Sequence, residues 1–433
     1  LPASGSFIAG RINIDVQNGN ANIYGTINVD SKGYTAGLGQ GTNHEYGAGG
    51  GGYGGEGGIG AAASGITYYL GGAGGASYGS YLAPVDLGSG GGLKNLLYAP
   101  GGGAVKLTVS GTTTINGTIT SDSAVGPAYG GSSGGGSGGS IFITTDTLAG
   151  NGVLRANGGT TSNWDGDYRY GGGGGGGRIA LFYTTDSSTL TTLNAKGGKP
   201  PGIKAQIGGG GTIYKKLASA TNGDLIIDNV EATWTSDINA IAKTPLVDSL
   251  AIDNLTINRF ARVDYSSTLN VGSTLNITNS SHLNAIGTIN SNTLNINSSA
   301  WLHSLTGSTV TYSSLNWTGG IVQDNGGTMA LISSGSDITI PVGSTLIGNT
   351  PRSFTNMTVN GTLTHDTNGI TEVNKINYTI SGNFTLASGA IIDIDNKGYT
   401  GSEGPGQGQD HSAGAGGGGY GGEGGIGQNY GYY

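Results

Sequence analysis

A run of glycines followed by a short strand of alternating apolar and polar residues recurs through the first half of this sequence, and that recurrence limits the folds open to it. The strands are Ala104-Val105-Lys106-Leu107-Thr108-Val109, Ser140-Ile141-Phe142-Ile143, Arg178-Ile179-Ala180-Leu181-Phe182-Tyr183 and Thr212-Ile213-Tyr214. With Val105, Ile141, Ile179 and Ile213 as anchors, the intervals are 36, 38 and 34 residues. Gly10-Arg11-Ile12-Asn13-Ile14-Asp15-Val16 is an earlier copy. A unit this short cannot bury its apolar face alone, so successive copies must stack.

Each copy carries a second strand beside a glycine: Gly25-Thr26-Ile27-Asn28-Val29, Gly117-Thr118-Ile119-Thr120, Gly152-Val153-Leu154-Arg155-Ala156, and Leu190 to Ala195. The unit reads as strand, turn, strand, then a glycine-rich arch. Between Tyr34 and Gly103 the arch is much longer and carries Tyr46, Tyr53, Tyr68, Tyr69, Tyr78 and Tyr81. From about Asp224 to Asp395 the glycine runs vanish. Short strands such as Thr268-Leu269-Asn270-Val271, Thr288-Ile289-Asn290 and Thr309-Val310-Thr311-Tyr312 recur about every 20 residues. Their partners are Leu275-Asn276-Ile277, Leu294-Asn295-Ile296 and Leu315-Asn316-Trp317.

A longer repeat frames both halves. Asp30-Ser31-Lys32-Gly33-Tyr34-Thr35 returns 365 residues later as Asp395-Asn396-Lys397-Gly398-Tyr399-Thr400. Gly49 to Gly60 recurs residue for residue 367 positions on, at Gly416 to Gly427, and His411 matches His44. Three regions follow: coils with Gly/Tyr-rich arches over 1–217, Asn/Thr/Ser-rich coils over 218–395, and the start of a second copy over 396–433. The opening residues read as those of a mature or cropped segment.

Composition narrows the classes. Of 433 residues 91 are Gly and 10 are Pro, without the Gly-X-Y period of collagen. Lys and Arg number 18 against 26 Asp and Glu, for a net charge of −8. Such sparse charge excludes a disordered polyelectrolyte, and its sign argues against a nucleic-acid partner. Zero Cys removes disulfides and thiolate sites. No run of 18 apolar residues offers a membrane span.

Strands at near-constant spacing, each with one apolar face, predict an all-β fold: a parallel β-helix solenoid, right-handed, with long Gly-rich arches. Asn276, Asn295 and Asn297 suit amide ladders or left-handed turns. Glycine is the costliest residue to order, so runs such as Gly171 to Gly177 are either mobile loops or closely packed. Six Tyr in one arch favour packing, with the arches stacked on one another as extended, backbone-bonded layers and Tyr gripping neighbouring surfaces.

Chemistry is thinly represented. Asp165 and Asp167, within Trp164-Asp165-Gly166-Asp167-Tyr168-Arg169-Tyr170, offer oxygen ligands for Ca²⁺ or form a plain solvated turn. Trp164 offers a stacking surface for a glycan. The calcium nonapeptide lacks its Asp after nearly every Gly-Gly-x-Gly. His44, His282, His303, His365 and His411 are scattered in sequence, and no nucleophile motif stands in its required context. Asn-x-Ser/Thr triplets at Asn254, Asn276, Asn297, Asn316, Asn356 and Asn383, with four others, provide glycosylation acceptors at about the frequency that chance placement yields.

Strands such as Gly272-Ser273-Thr274-Leu275-Asn276-Ile277 resemble the coils of filamentous-haemagglutinin-like and autotransporter adhesins of prokaryotes. The glycine-run-then-strand units resemble the Gly-rich repeats of giant prokaryotic surface proteins. This resemblance implies an extracellular, cell-surface rod used in filament building or adhesion, partnered by copies of itself, and it carries over no catalytic residues. The expected function is a structural segment of an extracellular filament, with no enzymatic role. The alternatives are a glycan-binding adhesin stalk, with glycans as partners, and a β-helical polysaccharide-active enzyme.

Overall fold

The chain is seen in a computed structural model that describes residues 6–8, 10–35, 39–44, 47–64, 67–93, 99–126, 133–161, 169–200, 205–229, 238–408 and 415–425. The side chains of 6–8, 62–64, 67–70 and 169 fall outside that description. Among the described residues the regular elements are β-strands and two single 3-10 turns, Ile238–Ala240 and Ala330–Ile332. The protein is all-β with long parallel sheets.

Stacking of the repeats builds the longest sheet. It joins Arg11–Val16, Ala104–Ile115, Ser140–Gly150, Arg178–Ser188, Thr212–Leu217, Asp224–Asp228, Leu250–Asn258, Thr268–Ile277, Thr288–Asn297, Thr309–Thr318 and Thr328–Met329 in sequence order. Its register sets Val105, Ile141, Ile179 and Ile213 side by side, as their spacing requires. In the first half the strands from Arg11–Val16 to Arg178–Ser188 lead to short strands of a second parallel sheet, Thr26–Asn28, Thr118–Thr120, Val153–Arg155 and Thr192–Asn194, which Ser6–Ile8 begins. In the second half the following strands form another, running from Thr244–Leu246 through Arg262–Tyr265, His282–Ala285, Trp301–Leu305, Ile321–Asn325, Thr345–Gly348 and Thr362–Thr364 to Ile391–Asp393.

Pairs such as Thr268-Leu269-Asn270-Val271 and Leu275-Asn276-Ile277, which the sequence suggests are separate strands, form one ten-residue strand with a register shift between Val271 and Thr274. The turn after it takes two consecutive left-handed residues: Arg259-Phe260, Asn279-Ser280 and Ser298-Ser299. Asn and Ser tolerate that backbone because their short side chains bond locally.

The two halves bury opposite faces of the shared sheet. Ile12, Val105, Ile141, Ile179 and Ile213 pack with Ile27, Ile119 and Leu154 in one core. Ala180, Tyr214, Leu225 and Ile227, which alternate with that set, begin a second core running through Leu255, Leu275 and Leu294 to Val359 and Leu363. At the crossover the strand Thr212–Leu217 pairs antiparallel with Asp224–Asp228. Strand direction and buried face therefore reverse together, close to the composition boundary near residue 217. Residues 178–181 and the run Leu225-Ile226-Ile227 meet packing on both faces there.

In the second core identical positions stack level on level: Leu255 beside Leu275 beside Leu294, and Ile257 beside Ile277 beside Ile296. All six are fully buried. Leu275→Ala removes one link from the middle of this column, and the neighbouring levels are held in register, so the gap cannot close. The expected loss is about 2–5 kcal/mol of unfolding free energy, checked by the denaturant midpoint; a cost below about 1 kcal/mol would mean that the column is not closely packed.

Candidate interaction surfaces

Glycine runs enter just before each long strand and leave just after each short one, so they form the remaining side of each first-half repeat. Their backbone N–H groups donate in three directions in rotation. Gly172, Gly173 and Gly174 donate to Ala48, Gln206 and Gly159, and Gly175, Gly176 and Gly177 donate to Gly51, Gly209 and Ala156. Residues three apart thus reach the same neighbouring segment, which is the period of a polyproline-II-type helix rather than a strand. Cβ atoms on Gly172 to Gly177 would collide in turn with the backbones of Gly58, Gly198, Gly136, Gly55, Ala195 and Gly139. The segment 172–177 is therefore ringed by six others at backbone contact. The arches hydrogen-bond through their backbone as the sequence suggests, but in a three-directional array rather than in flat layers.

The long arch folds back over the face of the sheet that the first core leaves bare. Tyr53 is fully buried; its hydroxyl shares a 2.7 Å hydrogen bond with Ser140, and its ring lies 4.8 Å from that of Tyr78. The Tyr78 hydroxyl donates to the Leu87 carbonyl at 2.5 Å. Arg178, 5 % exposed, donates to the carbonyls of Tyr78 and Tyr53 and to the Thr212 hydroxyl, and its guanidinium sits 5.5 Å from the Tyr53 ring centroid. Burial pushes the Tyr53 hydroxyl up to about 12 and lowers the Arg178 guanidinium. Tyr81 packs edge-on against Tyr214 at 5.6 Å. A cavity of about 220 Å³ opens beside this cluster, lined by Tyr78, Tyr81, Arg178 and Asp248 among others. Tyr53, Tyr78 and Tyr81 thus pack inside their own chain. Tyr68 and Tyr69 lie on the strand Thr67–Leu70, their side chains outside the description. Tyr46, Trp164, Asp165 and Asp167 lie outside the described residues.

The second half carries polar ladders along its strands. Asn295 donates to Asn276 at 2.6 Å and Asn316 donates to Asn295 at 2.8 Å, while Asn290 donates to Asn270 at 2.9 Å. Among the glycosylation acceptors, the amides of Asn254, Asn316 and Asn356 already donate to Asp224, Asn295 and Asp337. Asn276 accepts in the same ladder. Asn297 ends the strand Thr288–Asn297, and the backbone N–H of Asn383 donates to Asn356. Two histidines distant in sequence meet: His282 and His303 share a 3.1 Å hydrogen bond and both stack on Trp301. Strand register sets His282 opposite Trp301 and Asn284 opposite His303, so the two histidines meet diagonally across neighbouring strands, two residues out of register. Among the described residues no group of three His, Cys, Asp or Glu is placed to hold a metal ion.

The C-terminal end of the stack is bare. Phe384–Leu386 and Ile391–Asp393 pair on one edge each, and Phe384, Leu386, Ile391, Ile392 and Ile394 are exposed. No family model, curated protein or solved structure matches the chain.

Two outcomes follow. Gly54→Ala sets a methyl group against the Gly177 carbonyl, whereas Gly421, its equivalent in the C-terminal copy, has open space around it. Gly54→Ala is expected to cost about 3 kcal/mol or more and Gly421→Ala less than about 0.5 kcal/mol, compared by denaturant midpoints; equal effects would dissolve the close-packed array. The second concerns the histidines. Burial, then the facing His303, lowers His282 to about 3, and burial lowers His303 as well. The unfolded rings take up protons near pH 6.5. Between about pH 6.5 and 3 the unfolded chain therefore binds more protons, and stability falls as the pH falls. His282→Gln is expected to lose less stability than the wild type between about pH 7 and 4, by on the order of 1 kcal/mol or more in urea titrations; identical losses would mean that the pair is not held neutral.

Proposed function

We propose that the chain is a structural segment of an extracellular, cell-surface filament, wound as a right-handed parallel β-helix and joined end to end with copies of itself. The observation that carries this reading is one sheet continuous through both halves and flanked by two apolar columns, with the last strands of two further parallel sheets, Ile391–Asp393 and Phe384–Leu386, exposed at the C-terminal end. Except at the crossover, where Thr212–Leu217 turns back into Asp224–Asp228, most strands of that sheet are followed by a short strand on the far side of the core they share, which is how a coil is wound. Reversing strand direction and buried face together leaves the sense of winding unchanged, so one hand serves both halves. About a dozen levels at roughly 4.8 Å each make a rod about 60 Å long.

Stiffness is the function. Ladders of backbone bonds and stacked Leu and Ile resist stretching along the axis, and the glycine array ties levels to one another sideways. An unpaired strand edge with exposed apolar residues is a template for another chain. Electron microscopy of the native material tests the reading. Filaments with an axial repeat near 60 Å are expected; discrete particles without axial order would overturn it.

A further inference from the structure

The sequence holds one segment twice, and its two copies stand in opposite surroundings. Ile27 and Val29 are 1 % and 0 % exposed, whereas Ile392 and Ile394, the residues 365 positions on, are 40 % and 57 % exposed. Thr26–Asn28 has a strand on each edge, Ser6–Ile8 and Thr118–Thr120. Its counterpart Ile391–Asp393 pairs with Thr362–Thr364 alone among the described strands. The contrast sharpens in the twelve-residue identity. Tyr53 is fully buried against Tyr78, Ser140 and Arg178, while Tyr420 is fully exposed. Gly49 to Gly55 are buried at every position, and 415–425 are mostly exposed.

The glycines themselves carry the argument further. A glycine costs roughly 0.5–1 kcal/mol of backbone ordering relative to alanine unless a left-handed turn or a close neighbour requires it. Gly421, Gly422 and Gly425 have neither: their φ angles are not in the left-handed region and, among the described residues, no atom beyond their chain neighbours stands within 4 Å of a Cβ built on them. Their equivalents Gly54, Gly55 and Gly58 are each in backbone contact, with Gly177, Gly209 and Gln206. Within itself the C-terminal copy is closely packed, Gly406 against Gly419, Gly408 against Gly416 and Gly424 against Gly417, but Gly421, Gly422 and Gly425 lack the contacts that other segments give their equivalents.

We propose that residues 384–408 and 415–425 are a docking element whose occupant is a second copy of this chain, at its Thr118–Thr120 strand and its glycine segments 134–139, 172–177 and 206–211. There Ile391–Asp393 takes the place of Thr26–Asn28 beside the second copy's Thr118–Thr120 strand. The glycine run enters the second copy's array, and Tyr420 fills the pocket that Tyr53 fills within one copy. This rests on the filament reading and specifies its junction: one segment of the first copy substitutes for the N-terminal segment of the next, the exchange of like for like that makes swapped assemblies inexpensive.

The test joins two copies so that residue 433 of the first is followed directly by residue 67 of the second, which keeps the 367-residue register. Tyrosine nitration, read by peptide mass spectrometry, reports burial. In the tandem, Tyr420 of the first copy is expected to react at least about tenfold more slowly than in the single chain, a factor equal to about 1.4 kcal/mol of docking. Gly421→Ala, silent in the single chain, is expected to restore its reactivity. Tyr420 reacting as in the single chain while Tyr53 stays protected would overturn the proposal. Should Tyr53 of the first copy also react, the tandem has not folded, and a second arm decides: a labelled peptide of residues 384–425 added to the Tyr53→Ala chain. Binding that the Gly421→Ala peptide loses supports docking, and no binding of the wild-type peptide overturns it. Filaments that form with Tyr420 still reactive would leave the filament reading standing and place its junction elsewhere.

Discussion

Backbone-to-backbone contact between glycine segments is the constraint on which the first half depends. A side chain normally holds neighbouring chains about 5 Å or more apart and leaves each extended segment two bonding edges. Without one, a segment winding with a three-residue period turns successive N–H groups toward three neighbours, and its Cα atoms touch three more. Gly172 to Gly177 make all six contacts. The hydrophobic effect supplies little here, because glycine has no apolar side chain to bury. What holds the array is complete hydrogen bonding of buried backbone, since each unmet group would cost on the order of 1–3 kcal/mol. That cost also makes the array intolerant: one methyl group separates two segments and leaves donors on both without acceptors.

The array could not sit on the sheet without an anchor, and the long arch supplies it. Polyglycine has no means of registering itself against a β-sheet, because every position looks alike. Tyr53, Tyr78 and Tyr81 break that degeneracy by reaching Ser140, Arg178 and Tyr214 on three adjacent strands. Arg178 fits this place because its forked donors satisfy several carbonyls at once. The same arch covers the face of the sheet that faces away from the first core, near the level where burial changes sides. There the strands must be apolar on both faces, and the arch rings Tyr53 and Tyr81 complete the burial that the second core has not yet begun to provide.

Much of this was legible from the residues. Alternation located most strands of the long sheet and the short strands of the first half but not the facing strands of the second half, such as His282–Ala285 and Trp301–Leu305, and the anchor intervals gave the register of Val105, Ile141, Ile179 and Ile213 because parallel stacking places equivalent residues opposite one another. The amide ladder of Asn276 and Asn295 follows from the same rule. The destination of the arch tyrosines was not legible: Tyr53 and Arg178 are 125 residues apart, and a glycine-rich connection fixes no distance. Nor was the exchange of buried faces, although Leu225-Ile226-Ile227 carries its mark, three consecutive apolar residues where alternation would allow two. The meeting of His282 and His303 is diagonal: a 19-residue step sets His282 opposite Trp301 and Asn284 opposite His303, and the two rings meet across that offset of two residues, which spacing alone does not expose.

The two halves distribute their bonds differently, and this shapes how the molecule resists force. In the second half each strand bonds to the level before and the level after it, so bonding runs along the axis, and separating two levels breaks one ladder and one layer of Leu and Ile. In the first half a level also bonds through its arch to segments that are not its neighbours: Gly51 of the long arch reaches Gly135, Gly54 reaches Gly176, and Gly175 reaches back to Gly51. Opening one level there requires several to open together. Local opening free energy rises with the number of contacts that must break at once, so the glycine half forms one cooperative block, whereas the terminal levels of the other half can open singly. The exposed C-terminal level, bonded on one side among the described strands, is the easiest of all to rearrange.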